Sequence, residues 1–516
     1  MGDNWVATYR LQVHAGFPLT EAVAVVPYLA RLGVSHVYLS PCLQATPGSM
    51  HGYDVTDPTR ISDDLGGEAG WHQFCHQAHA HGLGLLLDLV PNHMAANQHN
   101  PLWDDLLAHG PASRYHRFFD VVSDPLDVRW RIHLATLGQP YGEALAKGEL
   151  QVTADSGRPR LVAPGQSWPL APATWRQLLG PDEAGDPVFD ELAAALLQRE
   201  FTGAVAEAYG EAVARVDLLW ASRSDASRER VAEINRDPAA LHVLLEAQWY
   251  ALHHWRLEGE VTNYRRFFDI GTLAALRMED PVVFAAAHQR VAAMFAAREL
   301  DGVRIDHPDG LRSPRTYFER LRKLFPAGRI YVEKILENDE QLRADWPVDG
   351  TVGYDFLSKV NRLWMDEQKA DALSAIYADF TGHTVNLSKV VRDKKSQIVG
   401  TLFEADLERL TRLAVTLARA DWRTRDLSVT QLRAALELLV VLLPVYRTYR
   451  DGPAVDATDR TTMINLLALA RARGEAIDPA IFNFLERVFL DESAYQAAEE
   501  FIARWQQLTP AVTAKG

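Results

Sequence analysis

The sequence predicts an α/β fold, a TIM-type (β/α)8 barrel of which about six strands are present. Three observations carry this. Short apolar strand patterns alternate with amphipathic helix patterns over the first 95 residues. The same rhythm resumes near residue 281 after a long interruption. Polar residues gather where the strand patterns end, the place where barrels of this type do their chemistry.

The elements follow in order. "WVATYRLQ" reads as the first strand. "LTEAVAVVPYLARLG" reads as an amphipathic helix, with Thr20 as its expected N-cap and Gly33 as its stop. "VSHVYLSP" is the second strand, ended by Pro41. "GWHQFCHQAHAHG" is a helix stopped by Gly82. "LGLLLDLVP" is a third strand, a nearly continuous apolar run of the kind buried on both faces. Strands joined by helices imply parallel βαβ units. These make residues 1–95 the first part of a barrel.

From about 96 to 280 the alternation stops, and the segment reads as a large inserted subdomain after the third strand. Residues 281–357 resume the barrel. "DPVVFAAAHQRVAAMFAAREL" and "RTYFERLRKLF" are helices. "DGVRID", "RIYVEKIL" and "GTVGYDF" supply the fourth, fifth and sixth strands. Residues 358–516 read almost wholly as helix, a second insertion, and an eight-stranded barrel would lack two strands by this count.

The stretch "DGVRIDHPDG", residues 301–310, sets a charge pair inside a short apolar strand. Alternation resolves it: Val303 and Ile305 share one face, Arg304 and Asp306 the other. The polar face points into the barrel mouth. Arginine two residues away favours an ionised Asp306, which suits a nucleophile. Glu333, one strand over and between Val332 and Ile335, is the natural acid, since apolar neighbours let a carboxyl keep its proton. Asp88, Asn92 and His93 end the third strand, and His307 follows the fourth. The turn-rich loop "PGSMHGYDVTDP" brings His51, Tyr53 and Asp54 after the second. Two carboxylates flanking one bond are the minimal kit for cleaving a glycosidic linkage, roughly 5 Å apart where one forms a covalent glycosyl intermediate.

Bulk properties narrow the partners. A net charge of −15 argues against nucleic acid or an anionic membrane. The apolar runs are too short to span a bilayer, and the N-terminus lacks the pattern of a secretory signal. Cys42 and Cys75 sit in no metal-ligand spacing and read as buried thiols of a reducing compartment. The expectation is a cytoplasmic protein without nucleic-acid or membrane partners.

The segments "DLVPNH", "GVRIDH" and "YVEKIL" resemble three conserved regions of the α-amylase superfamily. With "YLSPCLQATPGSMHGYDVTDP", "NYRRFFDI", "DWPVDGTVGYDF" and "LLPVYRTY", the chain more narrowly resembles the maltooligosyltrehalose synthase family. That resemblance implies an intramolecular transglycosylation of maltooligosaccharides, turning the reducing-end α-1,4 linkage into α,α-1,1. Asp306 would be the nucleophile and Glu333 the general acid/base. Arg304, His93 and His307 would hold the reacting sugar, Tyr53 would stack on it, and Asp88, with Asn92, would support the geometry. Phe267 and Phe268 of "NYRRFFDI" are candidate walls. No metal and no cofactor is called for. The alternatives are another α-glucan hydrolase or transglycosylase of the superfamily, and an inactive glucan-binding remnant.

The resemblance also sets an expectation about extent. Members of the superfamily carry a third acidic residue, which in the resembling synthases follows a segment like "PAVTAKG", residues 510–516. Asp349, Asp355, Asp451 and Asp456 do not sit in its context. On this reading the sequence matches the N-terminal part of a longer enzyme. A C-terminal fragment that completes the barrel is the partner implied, and little synthase activity is expected of the chain alone.

Overall fold

In the computed structural model, the described residues are 5–122, 130–154, 157–197, 201, 203–337 and 340–516, with the backbone alone at 182. Six strands form one parallel sheet: β1 (Thr8–Leu11), β2 (His36–Leu39), β3 (Gly84–Leu89), β4 (Gly302–Ile305), β5 (Arg329–Val332) and β6 (Gly350–Thr351), side by side in chain order. Every pairing is parallel. The sheet curls: Trp5, just before β1, stacks on His36 with ring centroids 3.5 Å apart and meets Tyr331 of β5 edge-on at 5.6 Å. This is part of a barrel wall, as the alternation predicted.

The helices between the strands follow their apolar spacing. In α2 (Gly67–Ala80), Trp71, Phe74, Cys75 and Ala78 recur at helical spacing and are buried. Between β3 and β4 stands α3 (Pro281–Ala296), whose Asp280 caps it by accepting from the amide of Val282. Between β4 and β5 stands α4 (Pro314–Leu324). All six residues of β3 are buried, which explains its unbroken apolar run.

The first helix departs from expectation. It splits into Leu19–Ala22, a 3-10 turn at Val23–Val25, and α1 (Val26–Leu32). Pro27 occupies the first turn of α1, where its missing N–H costs nothing, so the chain restarts a helix there. Thr20 is not the N-cap: Pro18 takes that position and no side chain caps it. Gly33 does end α1, in the left-handed conformation.

Residues 96–280 hold strands that periodicity did not reveal. Ile132–Leu137 pairs in parallel with Tyr250–His254, and Gln151–Thr153, Arg160–Ala163 and Gln166–Pro169 form an antiparallel sheet. Ile270–Ala275 pairs antiparallel with His93–Ala95, which fastens the far end of this segment beside the end of β3.

Beyond β6 the chain is helical: α5 (Tyr354–Arg362), α6 (Ala370–Thr381), α7 (Leu387–Val399), α8 (Glu404–Ala420), α9 (Val429–Leu442), α10 (Ala457–Arg473), α11 (Pro479–Leu490) and α12 (Tyr495–Lys515). From Val399 onward these helices bury a common apolar core, separate from the core under the sheet. Among the described residues, no helix is long and apolar enough to cross a membrane.

Candidate active site at the strand ends

The sheet register puts the polar residues into one face. Arg10 lies beside Tyr38, Asp88 beside Arg304, and Arg304 beside Tyr331. Neighbours in a parallel register point the same way, so the alternation in "GVRID" acts across several strands at once. Asp306 and Glu333 directly follow the paired residues Ile305 and Val332, and the amide of Glu333 donates to the carbonyl of Ile305. Their α-carbons therefore stand about 4.8 Å apart, one strand spacing.

Arg304 organises the cluster. Its Nη1 donates to Asp88 Oδ1 at 2.8 Å and to Asp306 Oδ1 at 2.6 Å, and its Nη2 lies 3.0 Å from Glu333 Oε1. One guanidinium thus holds three carboxyl groups. Asp88 also accepts from the hydroxyls of Tyr53 and Tyr38, at 2.5 and 2.9 Å. Arg10 donates to the Tyr53 oxygen at 3.0 Å. Gly52 turns with φ of 78°, and a Cβ there would meet the Pro41 carbonyl at 2.4 Å; this close passage aims Tyr53 at Asp88.

The histidines form a second layer. His93 lies against Phe267, centroids 4.4 Å apart, and His307 meets Phe267 and Phe268 at 5.1 and 4.7 Å. His307 and Phe268 have φ of 43° and 52°, the left-handed region that L side chains rarely take. Such strain persists only where surroundings over-determine it, and it clusters at functional sites. Gly310 permits the turn after His307, since a Cβ there would press within 2.5 Å of both Asn92 Oδ1 and the His307 ring. Asn92 is buried and accepts from Arg265 at 2.7 Å, so it orients an arginine and caps no helix.

The electrostatics correct the expected protonation of the pair. Burial, joined by the neighbouring Glu333 and Asp88 carboxylates, pushes Asp306 up to about 8 against the pull of Arg304. Glu333 is not enclosed by apolar groups: its side chain is 28% exposed, and it accepts from Arg304 and from the backbone N–H of His307, at 2.9 Å. Three carboxyls face two guanidiniums, those of Arg10 and Arg304. Of the three, Asp306 is the one whose ionised form burial opposes. Burial lowers His93 to about 3 and His307 to about 4, so both rings are neutral near pH 7.

Three buried polar atoms here have no hydrogen-bond partner among the described residues: Asp306 Oδ2, Arg304 Nε and His93 Nε2. Buried polar atoms are ordinarily paired, so these three have capacity left for a polar partner. His51 and Asp54 lie 3.7 Å from each other in the loop after β2, and His51 accepts from the amide of Tyr53 at 3.0 Å. Asp349, Asp355, Asp451 and Asp456 bind elsewhere, to Arg322 and Arg329, to Thr351, to Arg315 and to Arg343. No group of three or more metal-ligating side chains occurs among the described residues. Sequence reasoning missed Arg10, Tyr38 and Arg265; the first two were visible as inward positions of β1 and β2 once strand parity was applied.

Comparison with known proteins fits this geometry. The family model "Alpha amylase, catalytic domain" matches residues 22–131. A Mycobacterium tuberculosis protein named as a maltooligosyl trehalose synthase is 31% identical over 99% of this chain and 55% of its own length. The structure of maltooligosyltrehalose synthase from Arthrobacter ramosus superposes with a TM-score of 0.76 at 30% identity, over 99% of this chain and 55% of that one. A Sulfolobus tokodaii structure titled as a maltooligosyl trehalose synthase gives 0.69 at 28% identity, with the same shares. This chain spans about half the length of these relatives. Residues 22–131 thus match the α-amylase catalytic domain, and nearly the whole chain aligns with about half of a maltooligosyltrehalose synthase.

Proposed function

We propose that the strand-end cluster acts on the reducing end of a maltooligosaccharide, converting its last α-1,4 linkage to α,α-1,1 in a cytoplasmic enzyme. The observation that carries this reading is the pairing of Asp306 and Glu333 on one guanidinium, beside three unpartnered buried polar atoms. The kinship to synthases supports the substrate class.

In the proposed reaction, Glu333 protonates the leaving glucose while the Asp306 carboxylate attacks the anomeric carbon, forming a glycosyl ester. The freed glucose turns and offers its anomeric hydroxyl; Glu333 takes that proton as the new bond forms and the ester breaks. Before attack, Asp306 must be ionised and Glu333 must carry the proton it gives to the leaving oxygen. The positive charge that develops on the sugar favours an ionised Asp306, so binding and proton placement reinforce each other. His93, His307 and Tyr53 would orient the sugar hydroxyls, Asp88 and Asn92 would hold Arg304 and Arg265, and the Phe267–Phe268 pair would shield the ester from water.

The test is incubation with maltopentaose, following loss of reducing ends. Such turnover as the chain shows, small on the reading above, should remove reducing ends without matching release of free glucose, and Asp306→Asn or Glu333→Gln should cut that rate at least ~100-fold. A product that keeps its reducing end would point to an ordinary α-glucan hydrolase or transglycosylase. Maltopentaose binding without turnover, unchanged by Asp306→Asn, would leave only a glucan-binding protein.

A further inference from the structure

Glu333 lies one residue past the end of β5, its amide still donating to the carbonyl of Ile305. That bond fixes the backbone, and the side chain needs further support to stay in register with Asp306. The next residue, Lys334, is 2% exposed although it carries a charge. Its Nζ lies 3.2 Å from Asp309 Oδ2 and 3.4 Å from Glu340 Oε1, under the rings of Tyr446 and Tyr449 at 5.3 and 5.8 Å. It also donates to the carbonyl of Ile335 at 2.8 Å. Buried Asp309 accepts from the Tyr449 hydroxyl at 2.5 Å. Arg447, wholly buried, donates to the carbonyls of Asp309 and Leu311 at 2.7 Å each.

These contacts close a ring. Asp309 stands two residues after His307, whose N–H donates to Glu333 Oε2, and Glu333 is bonded through the chain to Lys334, which returns to Asp309. Tyr449 and Arg447 come from the segment between α9 and α10, so the helical block supplies the outer jaw. We propose that Lys334, Asp309 and Tyr449 are positioning residues that seat the Glu333 carboxylate on the His307 amide and Arg304. The helical block is thereby part of the site's construction. The consequence for turnover rests on the acid/base reading of Glu333; the seating itself does not.

Residue-resolved hydrogen exchange on the full chain tests the seating without any assay of activity. Asp309→Asn keeps the shape but drops the charge that holds Lys334, and Tyr449→Phe removes one hydroxyl. Either should speed exchange of the His307 amide about tenfold, or about 1.4 kcal/mol, while Val303 and Ile305 inside β4 exchange as before. Protection of His307 unchanged in both variants overturns the proposal. Faster exchange at Val303 and Ile305 as well overturns it too, since that is general loosening. Should maltopentaose turnover be found, the same variants should lower kcat and leave KM in place; local exchange without that split would count against Glu333's role and not against the clamp.

Discussion

The strand-end cluster and helices α5 and α6 break the ordinary rule of burial in opposite directions. At the strand ends, Asp88, Arg304 and Asp306 are charged-type residues held inside. Across α5 and α6 no residue is buried, and Phe380 is 89% exposed, with Trp364 between them at 84%. The difference teaches that burial follows partners more than polarity. The carboxyls stay inside because Arg304, Tyr38 and Tyr53 meet them. The aromatic rings stay outside because nothing among the described residues covers them. Helices α8 to α12 make the same point, for their amphipathic faces find one another and bury.

The largest expected effect comes from taking the common partner away. Arg304→Met strands three carboxyls and should cost about 3–5 kcal/mol, read as a lower urea midpoint near pH 7.5. A loss below about 1 kcal/mol would mean the cluster is wetter than its burial implies. Next in size is Asp306→Asn. A buried carboxyl raised to about 8 binds its proton more tightly folded than unfolded. Its burden on stability is therefore absent below about pH 4, grows as pH rises, and is complete above about pH 8. The variant should melt higher than the parent at pH 8.5, by about 1 kcal/mol or more, with the gain shrinking by pH 5.5. A gain that instead grew toward acid pH would reverse the assigned direction. The smallest effect is expected at the exposed rings: Phe380→Ser should change stability by less than about 0.5 kcal/mol. A large loss would show that this surface is covered in solution.

Much of the site was legible because strand parity is a local rule. Val303 and Ile305 pack outward while Arg304 and Asp306 turn in, and Asp88, His93 and Glu333 stand at strand ends in the order read from the chain. Parity did not show that Asp88 answers two tyrosines, because Tyr38 and Tyr53 lie 50 and 35 residues away. Nor did it show Arg265 bound to Asn92 across 173 residues. Thr20 had the chemistry of a cap, but the backbone enters its helix two residues early, after Pro18. Three strands of 151–169 escaped because three or four residues do not establish a period.

The amino-acid order alone marked the six strands of the parallel sheet and the inward face of β4, since these depend on alternation over a few neighbours. Tertiary structure decided how far burial opposes the charge on Asp306, which tyrosine and lysine brace Asp309, and which apolar faces find cover. Those outcomes depend on distance through space and on water excluded by distant segments, and neither is written in local order.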